Sequence, residues 1–186
     1  MVSFKSASAL LAWAFAATGD SAGARSSLGN AGLAGGGGGS MTYLESRAMA
    51  LQVVGFVSTM QLDHKLVLFL RYGEIAERAT MEYILIGAVP QQYGIDGARV
   101  AVRKWFDQDG RVGIRDIADK INRSCEPAHR YFKSVAAVLD LILSAAHERI
   151  EQRYPDLIEK KSDDDEELTR RPKRRQTKNA NQACCV

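Results

Sequence analysis

Apolar residues recur every three or four positions through most of residues 41–158, and no stretch alternates convincingly between apolar and polar side chains. The first spacing places apolar side chains on one face of an α-helix, whereas strict alternation is typical of a half-buried strand. The clearest example is a group of five residues that share one helical face: Ala98, Ala101, Val102, Trp105 and Phe106. The sequence therefore predicts a mainly helical fold.

The composition divides the 186 residues into a central folding unit and two ends of different character. Residues 1–40 are rich in Gly, Ala and Ser, while residues 159–186 are charged and almost free of large apolar side chains, so we expect neither end to contribute much to a core. Within the first end we predict a short helix over 1–18 and a flexible glycine-rich linker over 19–40. We predict that the last end is a disordered tail, which leaves 41–158 as the helical domain.

The apolar run around Trp13 has two interpretations. It resembles a short, weakly charged secretory signal, or it is a helix that docks on the domain or, at the end of its tether, on a partner. The rest of the chain lacks the chemistry of a secreted protein, because its three cysteines form neither a paired framework nor a zinc-binding spacing. This favours the helix, in a reduced cytoplasmic setting. No other run reaches the roughly 20 apolar residues of a membrane span.

Two further helices have recognisable ends. Asp63 is a suitable N-cap for a helix that Gly73 would close. The longest helix is predicted to open near Ser124 and to end before Pro155, which gives a length of about 45 Å. Because a small domain does not need a helix of that length, we expect its distal half to pack on the early helices or on a second copy of the chain, as a homo-oligomer.

Residues 114–135 have the pattern of two helices joined by a tight turn, a helix-turn-helix. Asn122 occupies the turn, where a left-handed backbone is usual and asparagine tolerates it best after glycine. Ala118 is expected where the helices approach most closely, and Ser124 is placed to cap the second helix. Four residues have the spacing that turns side chains inward: Ile117, Ile121, Ala128 and Tyr131.

The outer face of this pattern carries residue types that bind DNA. From Gly97 to Lys133 there are nine Lys or Arg against five Asp or Glu, whereas from Ser134 to Ile158 there are two against four. Basic side chains on the first helix and turn suit phosphates, and those on the second helix suit base edges. The candidate DNA-binding residues are Arg115, Lys120, Arg123, Ser124, Glu126, His129, Arg130 and Lys133. The alternative is an ordinary helical hairpin with a solvated basic face.

This pattern resembles the helix-turn-helix family, and most closely the sigma-region-4-like variant of bacterial and phage transcription proteins. The resemblance is carried by Ile117, Ala118, Ile121, Ser124, Ala128, Arg130, Tyr131 and Phe132. Arg123 departs from the family pattern, which usually has a hydrophobic residue beside the turn. Pro127 is also unusual there and puts the first turn of the second helix in doubt.

A looser similarity covers most of the chain. A Trp-containing N-terminal helix, a linker, an amphipathic helix and an LRYG-like segment at Leu70–Gly73 precede the DNA-binding unit. This order resembles that of phage late-gene antitermination proteins of the Q type, although its motifs are short. The resemblance implies double-stranded DNA near a late promoter and RNA polymerase as partners, inside a bacterial host.

Two other classes of function remain open. One is a small-terminase-like phage DNA-packaging protein that oligomerises through its long C-terminal helix, and the other is a helical adaptor that does not bind DNA. The sequence contains no P-loop, no glycine-rich dinucleotide motif after a strand, no metal-ligand cluster and no nucleophile with a base in reach. We therefore expect neither an enzyme nor a bound cofactor or metal.

Overall fold

The computed structural model describes residues 3–18, 42–73, 78–107 and 110–159. Over these residues the chain is mainly helical, as predicted, with seven helices and no β-strand. The helices are α1 (Ala7–Thr18), α2 (Tyr43–Thr59), α3 (Leu62–Tyr72), α4 (Arg78–Ile86), α5 (Gly94–Phe106), α6 (Ile114–Ile121) and α7 (Cys125–Arg153). None of these helices is long and apolar enough to cross a bilayer. The predicted linker, and the predicted tail from residue 160 onward, lie outside the described residues.

Buried side chains form two hydrophobic clusters. The first, here called the helix-turn-helix core, joins α4, α5 and α6 to one side of α3 and to the N-terminal half of α7. The second, the N-terminal core, joins α1 and α2 to the other side of α3 and to the C-terminal half of α7. Leu143 of α7 packs against both clusters. The long helix α7 is therefore the element that the two cores share.

The N-terminal helix α1 is part of the core. Leu10 and Leu11 are fully buried, and the ring of Phe15 packs edge-on against Phe69 with the ring centroids 5.1 Å apart. The expectation that residues 1–40 add little to a core is wrong for this segment, because one side of α1 is covered by α2, α3 and α7. Of the interpretations of the run around Trp13, docking on the domain is the one that the structure shows.

The segments before α1 and after α7 are joined by main-chain hydrogen bonds. The amide of Phe4 donates to the carbonyl oxygen of Leu157 at 2.7 Å, and the amide of Glu159 donates to the carbonyl oxygen of Phe4 at 2.9 Å. These bonds form an isolated parallel bridge between Phe4 and Ile158. Phe4, Leu157 and Ile158 also pack in the N-terminal core. The start of α1 is therefore held by these bonds, in addition to the contacts along its buried face.

The ends of the early helices follow local chemistry. Thr42 caps α2 in a reciprocal arrangement with Glu45, since the Thr42 hydroxyl accepts from the Glu45 amide and the Glu45 carboxylate accepts from the Thr42 amide. The prediction that Asp63 caps the next helix is wrong, because α3 starts at Leu62 after an N-cap at Gln61. Asp63 still lies in the first turn, where a negative charge is favourable, and Gly73 ends α3 as predicted.

The last helix has the predicted extent, from Cys125 to Arg153, and the chain leaves it before Pro155. Its distal half packs within the same chain, since Ala146 and Ile150 are buried in the N-terminal core. Packing on the early helices, one of the two interpretations for this half of α7, is therefore confirmed. After the helix, the Tyr154 hydroxyl donates to the carbonyl oxygen of Gln52 at 3.2 Å and links the end of α7 to α2.

A buried carboxylate joins α4 to α5. Glu82 is buried and accepts a hydrogen bond from Nε of Arg78 and another from Nε of Arg103, both at 3.1 Å. A buried charge is tolerated when it is paired and hydrogen-bonded in this way. The next helix, α5, starts at Gly94, four residues after Pro90.

Candidate nucleic-acid interface

The turn between α6 and α7 is fixed by Asn122. Its backbone is left-handed, with φ 50° and ψ 53°, as predicted. The amide of Arg123 donates to the carbonyl oxygen of Ala118 at 3.0 Å, and the amide of Asn122 donates to that of Asp119 at 3.3 Å. This pair of bonds is a Schellman motif, which satisfies carbonyl groups at the end of a helix and redirects the chain. The turn is therefore set by main-chain bonds at one left-handed residue.

The start of α7 lacks the side-chain capping bond that was predicted for it. Ser124 occupies the N-cap position in an extended conformation, but its hydroxyl makes no capping bond within the described residues. Pro127 is the third residue of α7, where its missing amide hydrogen breaks no intrahelical bond. The doubt that Pro127 raised about this first turn is removed, because α7 is helical from Cys125 onward.

The contacts beneath the turn are those of a tightly packed helix pair. The four residues predicted to face inward are buried, namely Ile117, Ile121, Ala128 and Tyr131. Ala118, predicted at the closest approach of the helices, is also buried. A tighter contact was missed, since a Cβ at Gly97 of α5 would lie 2.8 Å from Cγ2 of Ile121. No local pattern predicts this contact, because Gly97 and Ile121 lie on different helices and are far apart along the chain.

Tyr131 fixes the orientation of α7. Its hydroxyl donates to the carbonyl oxygen of Pro90 at 2.8 Å, and its ring meets that of Tyr93 edge-on with 5.1 Å between centroids. Burial raises the pKa of Tyr131 above the ordinary tyrosine value. The phenol therefore stays protonated and serves as a hydrogen-bond donor between α7 and the loop that follows α4.

The connection that leads into α6 is also held by directional bonds. Nζ of Lys104 donates to the carbonyl oxygen of Val112 at 2.8 Å and lies 5.4 Å from the ring centroid of Phe132 on α7. The amide of Val112 in turn donates to a carboxylate oxygen of Asp107 at 2.6 Å. Asp116 accepts from the amide of Gly113, also at 2.6 Å, at the start of α6. These bonds limit how far α6 can rotate relative to α5 and α7.

The outer surface of α6, the turn and α7 carries all eight candidate DNA-binding residues. Every one of them is exposed: Arg115, Lys120, Arg123, Ser124, Glu126, His129, Arg130 and Lys133. Arg130 forms an ion pair with Glu126 one helical turn earlier, and both side chains are exposed. Such surface pairs contribute little to stability, so this guanidinium can exchange its partner at low cost. A shallow cleft along the turn is lined by Ala118, Asp119, Asn122, Arg123, Ser124 and Pro127.

Titratable side chains elsewhere are dispersed or structural. Within the described ranges, no three His, Cys, Asp or Glu side chains come together as a metal site. Cys125 is exposed and not disulfide-bonded. Nε2 of His147 lies 2.9 Å from the hydroxyl of Tyr72, which donates to Oγ of Ser8 at 3.1 Å, so this polar chain joins α7, α3 and α1.

Comparison with known proteins adds no family assignment. No protein-family model, no curated protein and no solved structure matches the chain.

Proposed function

We propose that the protein binds double-stranded DNA in a sequence-specific manner through α6, the turn and the N-terminal half of α7. The observation that carries this proposal is the left-handed turn at Asn122. The turn is held by main-chain hydrogen bonds and packs on buried residues, and exposed candidate residues lie on both sides of it. A recognition helix needs this combination, because base readout requires rigid placement of a protruding helix in the major groove.

The two helices would divide the contacts. Arg115 and Lys120 on α6, together with Arg123 in the turn, are placed to bind phosphates and set the register on the duplex. On α7, Arg130 and His129 have the hydrogen-bonding groups that read base edges. Glu126 holds Arg130 in the free protein. On binding DNA, the guanidinium would exchange this carboxylate for a guanine edge or a phosphate.

The experiment compares two arginines of the same helix. A duplex site is first selected from a randomised double-stranded library with the full chain, and affinity is then measured by gel shift. Arg130→Ala is expected to weaken binding by about 1–3 kcal/mol. The control, Arg149→Ala, changes an exposed arginine in the distal half of α7 and should bind as the wild type does. Equal affinity of both variants and the wild type would exclude α7 as the recognition helix.

A second measurement separates phosphate contacts from base contacts. Lys133→Ala should weaken binding to all duplexes alike and lower the dependence of log K on log salt by about one unit if Lys133 binds a phosphate. Arg130→Ala should instead relax the preference at one base position. If no sequence preference emerges from the selection, the protein is not a sequence-specific binder.

We further propose that the DNA-bound protein regulates transcription as a phage late-gene antiterminator that acts on RNA polymerase. Its support is the order of segments along the chain, which resembles proteins of the Q type. Because α1 is docked, a polymerase contact at this helix would have to use its exposed side, such as Ala9 and Ala16. Transcription in vitro through a terminator placed downstream of the selected site is the test. Readthrough that requires the protein supports antitermination, and unchanged termination contradicts it.

A packaging function is the second candidate, and its support is the outer side of α7. Leu141 is 71% exposed there, although Ala146 and Ile150 on the opposite side are already buried within the chain. A small-terminase-like protein would assemble into a ring, which native mass spectrometry would detect as eight or more subunits. A monomer or dimer would exclude the ring. A helical adaptor, the third class, would show no DNA binding at all.

A further inference from the structure

The helix α2 is apolar on two opposite sides. On its inner side, Ala50, Val53 and Val57 are fully buried in the N-terminal core. On its outer side, Leu44 is 76% exposed and Leu51 is 55% exposed. An apolar side of a helix is usually covered by another part of the protein or by a partner. The described parts of the chain cover only the inner side, where α2 packs on α1 and α3.

The outer residues of α2 alternate in size along one stripe. Leu44, Ala48, Leu51 and Gly55 follow one another at spacings of four, three and four residues, which keeps them on one helical face. All four are exposed, and a Cβ added to Gly55 would meet no atom within 4 Å. Glycine in the interior of a helix is unfavourable. Nothing in the described part of the chain explains its presence at this position.

We propose that a second copy of this chain docks on this stripe, with the two α2 helices antiparallel across a twofold axis. An antiparallel pairing centred midway between Ala48 and Leu51 places each large residue against a small one. Leu44 then faces Gly55 of the second copy, and Ala48 faces Leu51 of the second copy. Small residues at these positions allow the helix backbones to approach closely, and the leucines fill the space beside them.

The size pattern favours a second copy over an unrelated partner. A twofold interface uses the same patch on both chains, so the patch must be complementary to itself. The stripe meets this condition, because one register matches both of its large–small pairs at once. The same register places Arg47 opposite Gln52 of the second copy and therefore does not oppose like charges. Since α2 packs on α1 and α3 while α6 packs on α5 and α7, docking would leave the turn region exposed.

The first test measures the mass of the full-length protein by sedimentation equilibrium. The wild type is expected to be a dimer, and Leu51→Asp is expected to weaken dimerisation on the order of a hundredfold, because each copy loses an apolar contact and gains a charge in the interface. Leu51 is exposed in the single chain, so the helix content of the variant should stay unchanged in circular dichroism. The matched control is Leu141→Asp, which changes an exposed leucine on α7 and should remain dimeric.

The second test addresses the register. Ala48→Leu alone should abolish the dimer, because it opposes two leucines. The double variant with Ala48→Leu and Leu51→Ala restores one large and one small residue in every pair and should dimerise again. A monomeric wild type would overturn the proposal, including the case in which residues 19–41 of the same chain cover the stripe. A dimer that survives Leu51→Asp, or a double variant that stays monomeric, would overturn it as well.

Discussion

The two cores of the molecule are built from different kinds of contact. In the helix-turn-helix core, directional bonds fix the positions of the elements, such as the one from Tyr131 to Pro90 and the one from Lys104 to Val112. In the N-terminal core, α1 packs mainly through apolar and aromatic side chains, including the Phe4 ring 5.2 Å from Trp13 and the Phe15 ring 5.1 Å from Phe69. The hydrogen bonds that join α1 to other elements lie near its start, at Phe4 and Ser8. The difference suits the proposed function, because a recognition surface needs fixed orientation, whereas docking a terminal helix needs mainly buried area.

The largest expected effect tests whether α1 belongs to the fold as firmly as α6 does. Leu10 and Ile117 are both fully buried, one in each core. Replacement of either by alanine should lower the free energy of unfolding by about 2–5 kcal/mol, measured by denaturant titration. Leu141→Ala at an exposed position should change it by less than about 0.5 kcal/mol. If Leu10→Ala has an effect as small as Leu141→Ala does, α1 is not docked in solution.

The same comparison shows how much of the structure could be predicted from the sequence. The turn was predicted at residue level because its signals are local: a left-handed asparagine, a small residue before it and apolar spacing on both sides. The inward positions of Ile117 and Tyr131 followed from the same spacing. The hydroxyl bond of Tyr131 to Pro90 joins residues 41 positions apart and has no local signal.

The contribution of α1 to the core was missed for a related reason, although docking on the domain was one of the predicted interpretations. A stretch rich in Gly, Ala and Ser predicts little core, and composition averaged over 1–40 hid the apolar side of residues 7–18. The surface on which α1 packs is created by α2, α3 and α7, which the sequence does not place side by side. Asp63 was chosen as a cap by residue type, but α3 already starts at Leu62, after an N-cap at Gln61 that makes no side-chain capping bond. The candidate DNA-binding residues were predicted to lie on an outer face, and all of them are exposed. Their contact with DNA stays a prediction.

Alanine substitution at two helical glycines should change the free energy of unfolding in opposite directions. Gly97 is buried in the helix-turn-helix core, and Gly55 lies on the exposed side of α2. Gly97→Ala places a methyl group 2.8 Å from Cγ2 of Ile121, and such overpacking costs about 1–3 kcal/mol, partly offset by the better helix propensity of alanine. Gly55→Ala meets no atom within 4 Å and should stabilise α2 by about 0.5–1 kcal/mol. The Gly55 variant is best measured in the Leu51→Asp background, where no second copy intervenes. Stabilisation by both variants would mean that α5 and α6 are not in close contact.

Substitutions of Asn122 at the left-handed turn are expected to have the next largest effect on the free energy of unfolding. Asn122→Ala should lower the free energy of unfolding by about 1–2 kcal/mol, because a Cβ-bearing residue without a short polar side chain is strained at φ 50°. Asn122→Gly removes that strain and should be close to neutral. Thermal unfolding of the two variants distinguishes turn geometry from loss of the asparagine side chain itself. Equal destabilisation by glycine and alanine would show that the side chain, and not the backbone conformation, matters at this turn.

The smallest expected effect is a pH dependence that belongs to the N-terminal core. Burial lowers the pKa of His147 below the ordinary value, with Glu151 opposing the shift and Arg71 adding to it. Burial also lowers the pKa of His64, to which the positive charge of Arg149 adds. The unfolded chain therefore binds protons before the folded chain does, and stability should fall as the pH drops below about 6.5.

Variants of His147 assign this pH dependence to its source. His147→Gln removes the titrating group but keeps a donor for the Tyr72 hydroxyl, so it should reduce the loss of unfolding free energy between about pH 7 and about pH 5.5. Tyr72→Phe removes the hydroxyl that lies 2.9 Å from Nε2 of His147 and leaves the imidazole able to titrate. This control should therefore retain a fall in stability over the same range. If His147→Gln keeps the full pH dependence of the wild type, the loss of stability arises outside this polar chain, and His64, whose pKa is also lowered by burial, is the next group to replace.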